Sequence, residues 1–177
     1  MAKRLYPILT PQVIARRVAE LGGEISCEYA GKDLLIVGVL KGSFMFVADL
    51  VRALTVPAQI DFVRLSSYGA KDVPGEIVFT QQLELSPKGK HILVVEDIVD
   101  TGHSMERLLQ SLGGMEAESV KLCALIDKEE RRAANVTVDF YGFRLAKGFV
   151  VGYGLDFAED YRCLSGVFEL SKTRSPQ

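Results

Sequence analysis

The segment VVEDIVDTGHSMERLL, residues 94–109, carries the strongest structural signal in this sequence. The chain enters it from HILVV (91–95), a short branched apolar run that predicts a strand covered on both faces. A helical pattern over residues 104–112 follows and ends at Gly113-Gly114. A buried strand, a polar turn and a helix, in that order, are typical of an α/β fold.

The same alternation of apolar runs and helical patterns continues on both sides of this segment. Thr10-Pro11 predicts the start of an early helix, because a capping hydroxyl precedes a proline at the first helical position, and Gly22-Gly23 predicts its end. A second helical pattern follows residues 41–43 and runs to Leu54. The further predicted strands are LLIVGVL (34–40), QIDFVRLSSY (59–68), EIVFTQQLEL (76–85), VKLCALI (120–126), VTVDFYGF (136–143) and FVVGYGL (149–155). This order predicts an α/β layered fold with a mainly parallel central sheet flanked by helices.

Composition excludes several classes of protein. The chain has 177 residues, of which 48% are apolar and 25% charged, which is the balance of an ordinary globular domain. We expect residues 1–177 to form a single domain, because no repeat, low-complexity tract or linker interrupts them. The net charge of −2 gives no bulk attraction to nucleic acid or to an anionic membrane. Any anionic ligand must therefore be bound by local geometry.

The cysteines and the motifs exclude further classes. Cys27, Cys123 and Cys163 are widely separated and form no C-x-x-C pair, which disfavours a disulfide framework or a zinc cluster and favours a reducing cytoplasm. The longest apolar runs have seven residues, too few to span a bilayer, and the N-terminus has no apolar core of signal-peptide length. No G-x-x-x-x-G-K-[ST] loop occurs, so a P-loop NTPase is excluded. A G-x-G-x-x-G turn after a strand is also absent from the sequence.

The polar turn inside residues 94–109 has the composition of a ligand site. Glu96, Asp97 and Asp100 follow the predicted strand, and parallel sheets bind their ligands at the carboxyl ends of strands. Backbone N–H groups of the turn 101–104 before a helix form an anion site, and Gly102 allows a phosphate to approach closely. Carboxylates beside a phosphate require a ligand that also presents hydroxyls and brings a divalent cation. A phosphorylated sugar with Mg²⁺ meets that requirement, although each carboxylate alone would also fit a solvated loop.

The motif VVEDIVDTGHS resembles the phosphoribosyl-pyrophosphate (PRPP) binding motif of type I phosphoribosyltransferases. It is most similar to that of the hypoxanthine-guanine branch. Other segments resemble the same family in order and spacing, namely LKGSFMF (40–46), SSYG (66–69), LIDK (125–128) and FVVGYGLDFAEDYR (149–162). The resemblance implies the type I phosphoribosyltransferase fold, with a core over about 30–150, a small hood from the N-terminal and C-terminal segments, and a mobile loop over about 68–76.

The resemblance also implies which residues bind PRPP. Glu96 and Asp97 would hold the ribose hydroxyls, and Asp100 would in addition lie near purine nitrogen N7 as the candidate catalytic general base. Lys41 and Gly42 would contact pyrophosphate, in a turn where the family has a non-proline cis peptide. Arg162 would contact the same leaving group. The cradle of the 5-phosphate would consist of Asp100, Thr101, Gly102, His103 and Ser104.

The remaining implied roles concern the base, the metal and the lid. Lys128 would donate to the 6-oxo group, Phe149 would stack on the purine, and the backbone of Val150 would read its edge. Mg²⁺ would be held by Asp156 together with Glu96 and Asp97, and the closing loop would carry Ser67 and Tyr68. Without the resemblance, the sequence also fits simpler structural roles for these residues. Lys41 and Lys128 would be exposed lysines, Phe149 a core residue, and Arg162 part of a surface ion pair.

His103 departs from the family pattern, in which this loop position often carries other residues, including lysine. A histidine side chain is largely uncharged at neutral pH, so we expect the phosphate affinity to depend on pH.

The function implied is a Mg²⁺-dependent transfer of the 5-phosphoribosyl group from PRPP to hypoxanthine or guanine, giving IMP or GMP and pyrophosphate. Two alternatives remain. One is a phosphoribosyltransferase for another base such as xanthine. The other is a PRPP-binding regulator of nucleic acid with the same fold, which the net charge of −2 disfavours. We expect a cytoplasmic homodimer or homotetramer that binds neither nucleic acid nor membrane.

Overall fold

The computed structural model describes residues 3–67 and 77–172. The strands are β1 (Lys3–Leu9), β2 (Leu34–Leu40), β3 (Ala58–Ser67), β4 (Ile77–Gln81), β5 (His91–Val99), β6 (Ser119–Asp127), β7 (Phe140–Arg144), β8 (Val150–Val151) and β9 (Val167–Lys172). The helices are α1 (Pro11–Glu28), α2 (Phe44–Ala53) and α3 (His103–Gly113), with a short 3₁₀ turn at Glu129–Arg131. Within the described ranges, no helix is both long and apolar enough to cross a bilayer.

The central sheet has six strands in the order β4-β3-β2-β5-β6-β7. Every neighbouring pair is parallel except β3 and β4, which are antiparallel. The prediction of an α/β fold with a mainly parallel sheet is therefore confirmed. The carboxyl ends of β2, β5 and β6 lie side by side, which brings residues 41–42, 96–104 and 128 to one edge of the sheet.

Helices cover both faces of this sheet. On one face the buried side chains of α1 and α2 pack against Ile36, Leu93 and Leu125. On the other face Leu108 and Leu112 of α3 pack against β2, β5 and β6. Strand β2 is buried along nearly its whole length, as expected for a strand covered on both sides.

A second sheet is built from both ends of the described chain. Its three strands have the order β1-β9-β8, and both pairings are antiparallel. Lys3 is the pairing partner of Lys172 in this sheet, and Val151 is the partner of Phe168. The short β8 therefore connects the region before Asp156 to the two terminal strands.

The predicted end of the first helix at Gly22-Gly23 is wrong, because α1 continues to Glu28. Gly22 is buried where α1 meets α2, and a Cβ atom there would lie 2.6 Å from the backbone oxygen and from the Cβ of Ala53. Gly22 thus permits close contact between two helices. Ile25 and Ser26, further along, are also buried and keep the helix in place.

Strand β5 is longer than predicted. It runs to Val99, since Glu96 remains paired with Ala124 and Val99 with Asp127 on β6. Glu96 and Asp97 therefore lie within a strand, whereas the sequence suggested a loop.

Three other predicted strands are shorter than expected. FVVGYGL forms only β8, because Gly152, Tyr153 and Gly154 have φ values of 96°, 52° and 98°. β4 ends at Gln81. Beyond this strand, the backbone N–H groups of Glu84 and Leu85 donate to the carboxylate of Asp61. The strand predicted at 136–143 begins at Phe140. The predicted mobile loop at 68–76, including Tyr68, lies outside the described residues.

Candidate active site

Glu96 and Asp97 form a buried pair of carboxylates in β5. Each is 9% exposed. A Glu96 carboxylate oxygen accepts a hydrogen bond of 2.9 Å from the Asp97 backbone, and an Asp97 oxygen accepts one of 2.7 Å from the Ile98 backbone. Burial raises the pKa of Glu96 well above its usual 4.5, and the neighbouring Asp97 raises it further. Burial also raises the pKa of Asp97, although its hydrogen bonds and the charge of Arg162 act in the opposite direction.

The turn after β2 packs directly on this pair. The Leu40–Lys41 peptide bond is cis, as the resemblance implied. A Cβ atom at Gly42 would lie 1.7 Å from Oδ2 of Asp97, so only glycine fits at this position. A cavity of about 280 Å³ lies above, and the site residues that line it are Lys41, Gly42, Glu96, Asp97, Ser104, Asp156 and Arg162.

The turn before α3 forms a second cavity, of about 220 Å³, lined by Glu96 through Gly102 and by Ser104. Gly102 caps the helix with a φ of 87°, and its carbonyl accepts the first hydrogen bond of α3, from Glu106. This orientation leaves backbone N–H groups at the start of the helix, the arrangement that binds anions. His103 is exposed as the first helical residue.

Asp100 has one engaged and one free carboxylate oxygen. Its Oδ2 atom lies 3.0 Å from Nη1 of Arg131. Its Oδ1 atom is buried and finds no hydrogen-bond partner among the residues that the structure describes. A buried acceptor without a partner is costly, so a hydrogen-bond donor brought to Oδ1 would stabilise the site.

Residues 131–134 brace the same turn. Nε of Arg132 donates to the Asp100 carbonyl at 3.3 Å, and the backbone N–H groups of Ala133 and Ala134 both donate to the Thr101 carbonyl at 3.0 Å. Arg132 also forms an ion pair with the buried Asp127. Neither arginine was among the residues predicted from the sequence. The available signal was the pair of arginines that follows LIDK after two glutamates, and this charged run is typical of an ordinary surface.

The largest cavity found among the described residues, of about 530 Å³, is lined by Asp100, Lys128, Arg131, Phe149, Val150 and Asp156 among others. Lys128 is only 7% exposed, and its Nζ atom donates to the Gly148 carbonyl at 2.6 Å. Phe149 is 51% exposed, with its ring edge-on to that of Phe157 at 5.5 Å. Lys128 is therefore no surface lysine, and Phe149 is no core residue. Asp97 lines all three cavities, so they form one connected site.

The loop at 156–162 closes the site with a network of charges. Arg162 lies 2.8 Å from Asp156 and 3.3 Å from Glu159, and its Nη1 atom donates to the Gly154 carbonyl at 2.8 Å. Lys41 lies 2.9 Å from the same Glu159 oxygen. Glu159 was not among the predicted site residues, because only the folded chain places it beside Lys41.

The structure thus places most of the predicted residues around one site. Ser67 ends β3 and Tyr68 lies outside the described residues, so their predicted roles stay untested. Within residues 3–67 and 77–172, no cluster of three or more His, Cys, Asp or Glu side chains could hold a metal ion by itself. Asp156, Glu96 and Asp97 nevertheless line the same cavity.

Comparisons with known proteins agree with this geometry. The phosphoribosyl transferase domain family matches residues 7–158. The hypoxanthine phosphoribosyltransferase of Salmonella typhimurium is 40% identical over 166 residues, which cover 92% of this chain and 93% of that protein. The hypoxanthine-guanine phosphoribosyltransferase of Bacillus subtilis is 40% identical over 158 residues, covering 89% and 88%. A crystal structure of a hypoxanthine phosphoribosyltransferase from Staphylococcus aureus superposes with a TM-score of 0.90 at 36% identity, covering 93% of this chain and 90% of that one.

Proposed function

This chain belongs to the phosphoribosyl transferase family, and on that premise we propose how its side chains divide the reaction. It is a purine salvage enzyme that transfers the 5-phosphoribosyl group of PRPP to hypoxanthine or guanine and releases pyrophosphate. The resemblance found in the sequence is confirmed. The observation that carries the assignment of roles is the connected site, in which Asp97 lines all three cavities.

PRPP occupies the two smaller cavities. Its 5-phosphate sits in the turn 100–104, where backbone N–H groups at the start of α3 donate to it. Glu96 and Asp97 accept hydrogen bonds from the ribose hydroxyls. The pyrophosphate lies in the cavity of about 280 Å³, against Gly42 and between the cations of Lys41 and Arg162.

The purine occupies the largest cavity. An ammonium group has three donors, so Lys128 keeps its bond to Gly148 and donates a second one to the 6-oxo group. Adenine presents an amine at that position and leaves this donor unpaired, which selects against it. Phe149 stacks on the ring from its exposed position, and the backbone of Val150 reads the far edge of the base.

Asp100 acts at purine nitrogen N7. Asp100 lines both the purine cavity and the phosphate turn; Arg131 holds its Oδ2 atom, and its Oδ1 atom has no partner among the described residues. As a ring nitrogen attacks the anomeric carbon of PRPP and pyrophosphate leaves from the opposite face, Asp100 accepts the N7 proton. Lys41 and Arg162 stabilise the negative charge that develops on the departing group. Closure of the loop at 68–76, with Ser67 and Tyr68, excludes water from the oxocarbenium-like transition state.

The residues fit a divalent cation. Glu96 and Asp97 are buried with raised pKa values, and neither forms an ion pair with a residue in the described ranges, so no direct cationic partner neutralises them. Mg²⁺ in nucleotide sites is typically held by one or two carboxylates together with substrate phosphates. We propose that Asp156, with Glu96 and Asp97, provides the protein ligands. When bound, the ion neutralises charge on the pyrophosphate.

An assay of pyrophosphate release with a panel of bases tests this function. We expect turnover with PRPP and hypoxanthine or guanine, and none with adenine. Turnover with xanthine alone would replace the assigned base. Nucleic-acid binding at moderate salt, without turnover of any purine, would favour the regulator instead.

Asp100→Asn tests the general base in the same assay. Turnover should fall by roughly 10²- to 10⁴-fold, because an amide accepts no proton from N7. The matched control is Asp33→Asn, which removes an exposed carboxylate that pairs with Lys90 on another part of the surface. Near-wild-type turnover by Asp100→Asn would exclude the proposed role.

We also propose the organisation of the whole protein. Residues 1–177 form a single domain, with β1, β8 and β9 as the hood over the core. The protein is a homodimer or homotetramer in the cytoplasm, and its three free cysteines are compatible with a reducing compartment. Sedimentation equilibrium measures the assembly state directly, and a monomer at micromolar concentration would contradict it.

A further inference from the structure

Glu159 holds both cations that the proposed function assigns to pyrophosphate. One of its carboxylate oxygens, Oε2, lies 2.9 Å from Nζ of Lys41 and 3.3 Å from Nη2 of Arg162. A pyrophosphate oxygen bound in this cavity would have to contact the same two groups. Glu159 itself has no part in the reaction described above.

The loop presents Glu159 in a defined position. The Glu159 backbone N–H donates to Oδ2 of Asp156 at 2.9 Å, and Phe157 and Asp160 exchange backbone hydrogen bonds of 3.2 and 3.1 Å. Ala158, Glu159 and Tyr161 have φ values of 53°, 67° and 76°, a region that residues other than glycine seldom adopt. Such conformations persist where the surrounding structure imposes them, and they cluster at ligand sites.

The side chain of Glu159 is nevertheless free to leave. It is 64% exposed, and its two partners are 46% and 17% exposed. The hydrogen bond to Lys41 lowers the pKa of Glu159, so the group is an anion at neutral pH. Ion pairs this exposed are weak, so a multiply charged ligand can displace them.

We propose that Glu159 is an internal competitor of pyrophosphate, a carboxylate that occupies Lys41 and Arg162 until PRPP displaces it and that returns as pyrophosphate departs. This inference rests on the proposed function, which places pyrophosphate between these cations. Each binding event must break the Glu159 contacts, which lowers the affinity for the pyrophosphate group. Each release restores them, which speeds the departure of the product.

The opposite role makes the opposite prediction. If Glu159 served to hold Lys41 and Arg162 in their binding positions, its removal would disorder them and weaken pyrophosphate binding. The sign of the change in affinity therefore decides between competition and positioning.

Isothermal titration of inorganic pyrophosphate in the presence of Mg²⁺ measures this sign. We expect Glu159→Gln to bind pyrophosphate about two- to tenfold more tightly than the wild type, the range for losing one or two exposed ion pairs. Dissociation of pyrophosphate, followed by competition, should slow by a similar factor. The KM for hypoxanthine should stay unchanged, because Glu159 does not line the purine cavity.

Asp160→Asn is the matched control. It removes the same charge from the next residue of the loop, but Asp160 forms no ion pair with any residue in the described part of the chain. A general effect of lowering the negative charge would tighten pyrophosphate binding equally in both variants and overturn the proposal. Glu159→Ala serves as a second variant if the glutamine variant does not fold.

Failure of the proposed function and failure of the inference about Glu159 give different results in this titration. A wild-type protein that binds no pyrophosphate would contradict the proposed function and this inference together. Wild-type binding with unchanged or weaker binding by Glu159→Gln would overturn this inference alone.

Discussion

Glu96 and Asp97 are adjacent carboxylates within β5, and each is about nine-tenths buried. Burial raises both pKa values, and for Glu96 the charge of Asp97 adds to the effect. The folded state therefore binds a proton at Glu96 more tightly than the unfolded chain does. At pH values above the unfolded pKa, ionisation of Glu96 opposes folding. Fold stability is thus lost at the two carboxylates that we propose bind a cation and the ribose hydroxyls.

Glu96→Gln should accordingly stabilise the protein without ligand. We expect the free energy of unfolding at pH 8 to rise, because a neutral amide puts no charge into this buried position. The gain should shrink as the pH falls toward 4.5, because a growing fraction of the unfolded wild-type chain then also carries a proton at Glu96. Urea denaturation of both proteins between pH 5 and 8, in metal-free buffer, measures this difference in the free energy of unfolding.

The control for this experiment is Glu118→Gln, an exposed glutamate, which should change stability little. A stability difference that grows toward low pH would contradict the assignment of the raised pKa. Binding of PRPP should weaken in Glu96→Gln, since an amide offers less to a cation and to hydroxyl donors than a carboxylate.

At the scale of elements, α1 contains two adjacent glycines in different surroundings. Gly22 is buried against Ala53 of α2, where a Cβ atom would come within 2.6 Å of the backbone. Gly23 has no atom within 4 Å of the position that its Cβ would occupy. One glycine is required for helix packing, and the other only weakens the helix.

Alanine at the two positions should have opposite effects. Gly23→Ala should raise the free energy of unfolding by about 0.5 to 1 kcal/mol, because alanine restricts the unfolded chain and favours helix. Gly22→Ala should lower it by about 1 to 3 kcal/mol, because the added methyl group forces α1 and α2 apart. Thermal unfolding followed by circular dichroism measures both. Equal effects of the two substitutions would show that α2 does not restrict Gly22.

The sequence predicted those elements whose cause is local. The apolar run at 91–95 and the glycines at 113–114 gave the strand and helix around the site, and the motif placed Asp100 next to the anion turn. Elements set by distant contacts were predicted poorly: α1 passes Gly22 because of α2, and β5 continues through Glu96 because of β6.

The same distinction holds within the site. Arg131 reaches Asp100 across 31 residues, and Glu159 reaches Lys41 across 118. No local pattern marks either residue, because each acquires its role only when the chain folds.

At the scale of the whole molecule, the cavity proposed for the purine is lined by residues of both sheets. Asp97, Asp100 and Lys128 come from the carboxyl edge of the central sheet, while Val150 belongs to β8 of the second sheet. Among the described strands, β8 pairs with β9 alone, and β9 pairs on its other side with β1. The position of the Val150 backbone, which we propose reads the base, therefore depends on β1.

Deleting residues 1–8 should impair base binding selectively. Loss of β1 leaves β9 as an edge strand and loosens β8, so we expect the KM for hypoxanthine to rise roughly three- to tenfold, or about 1 kcal/mol. The KM for PRPP should change less, because its cavities are built mainly on the central sheet. Steady-state kinetics with each substrate varied in turn separates the two. An equal rise in both constants would contradict a specific link between β1 and the base.

The pairing of β1 with β9 also brings the two ends of the described chain close together in space. Because Lys3 and Lys172 face each other across the sheet, a short Gly/Ser linker could join them and close the backbone into a ring. The ring could then be cut at the exposed turn between β4 and β5, near Lys88 and Gly89. In such a circular permutant the residues of the catalytic site would keep their spatial arrangement while the strands of the central sheet changed their order along the chain.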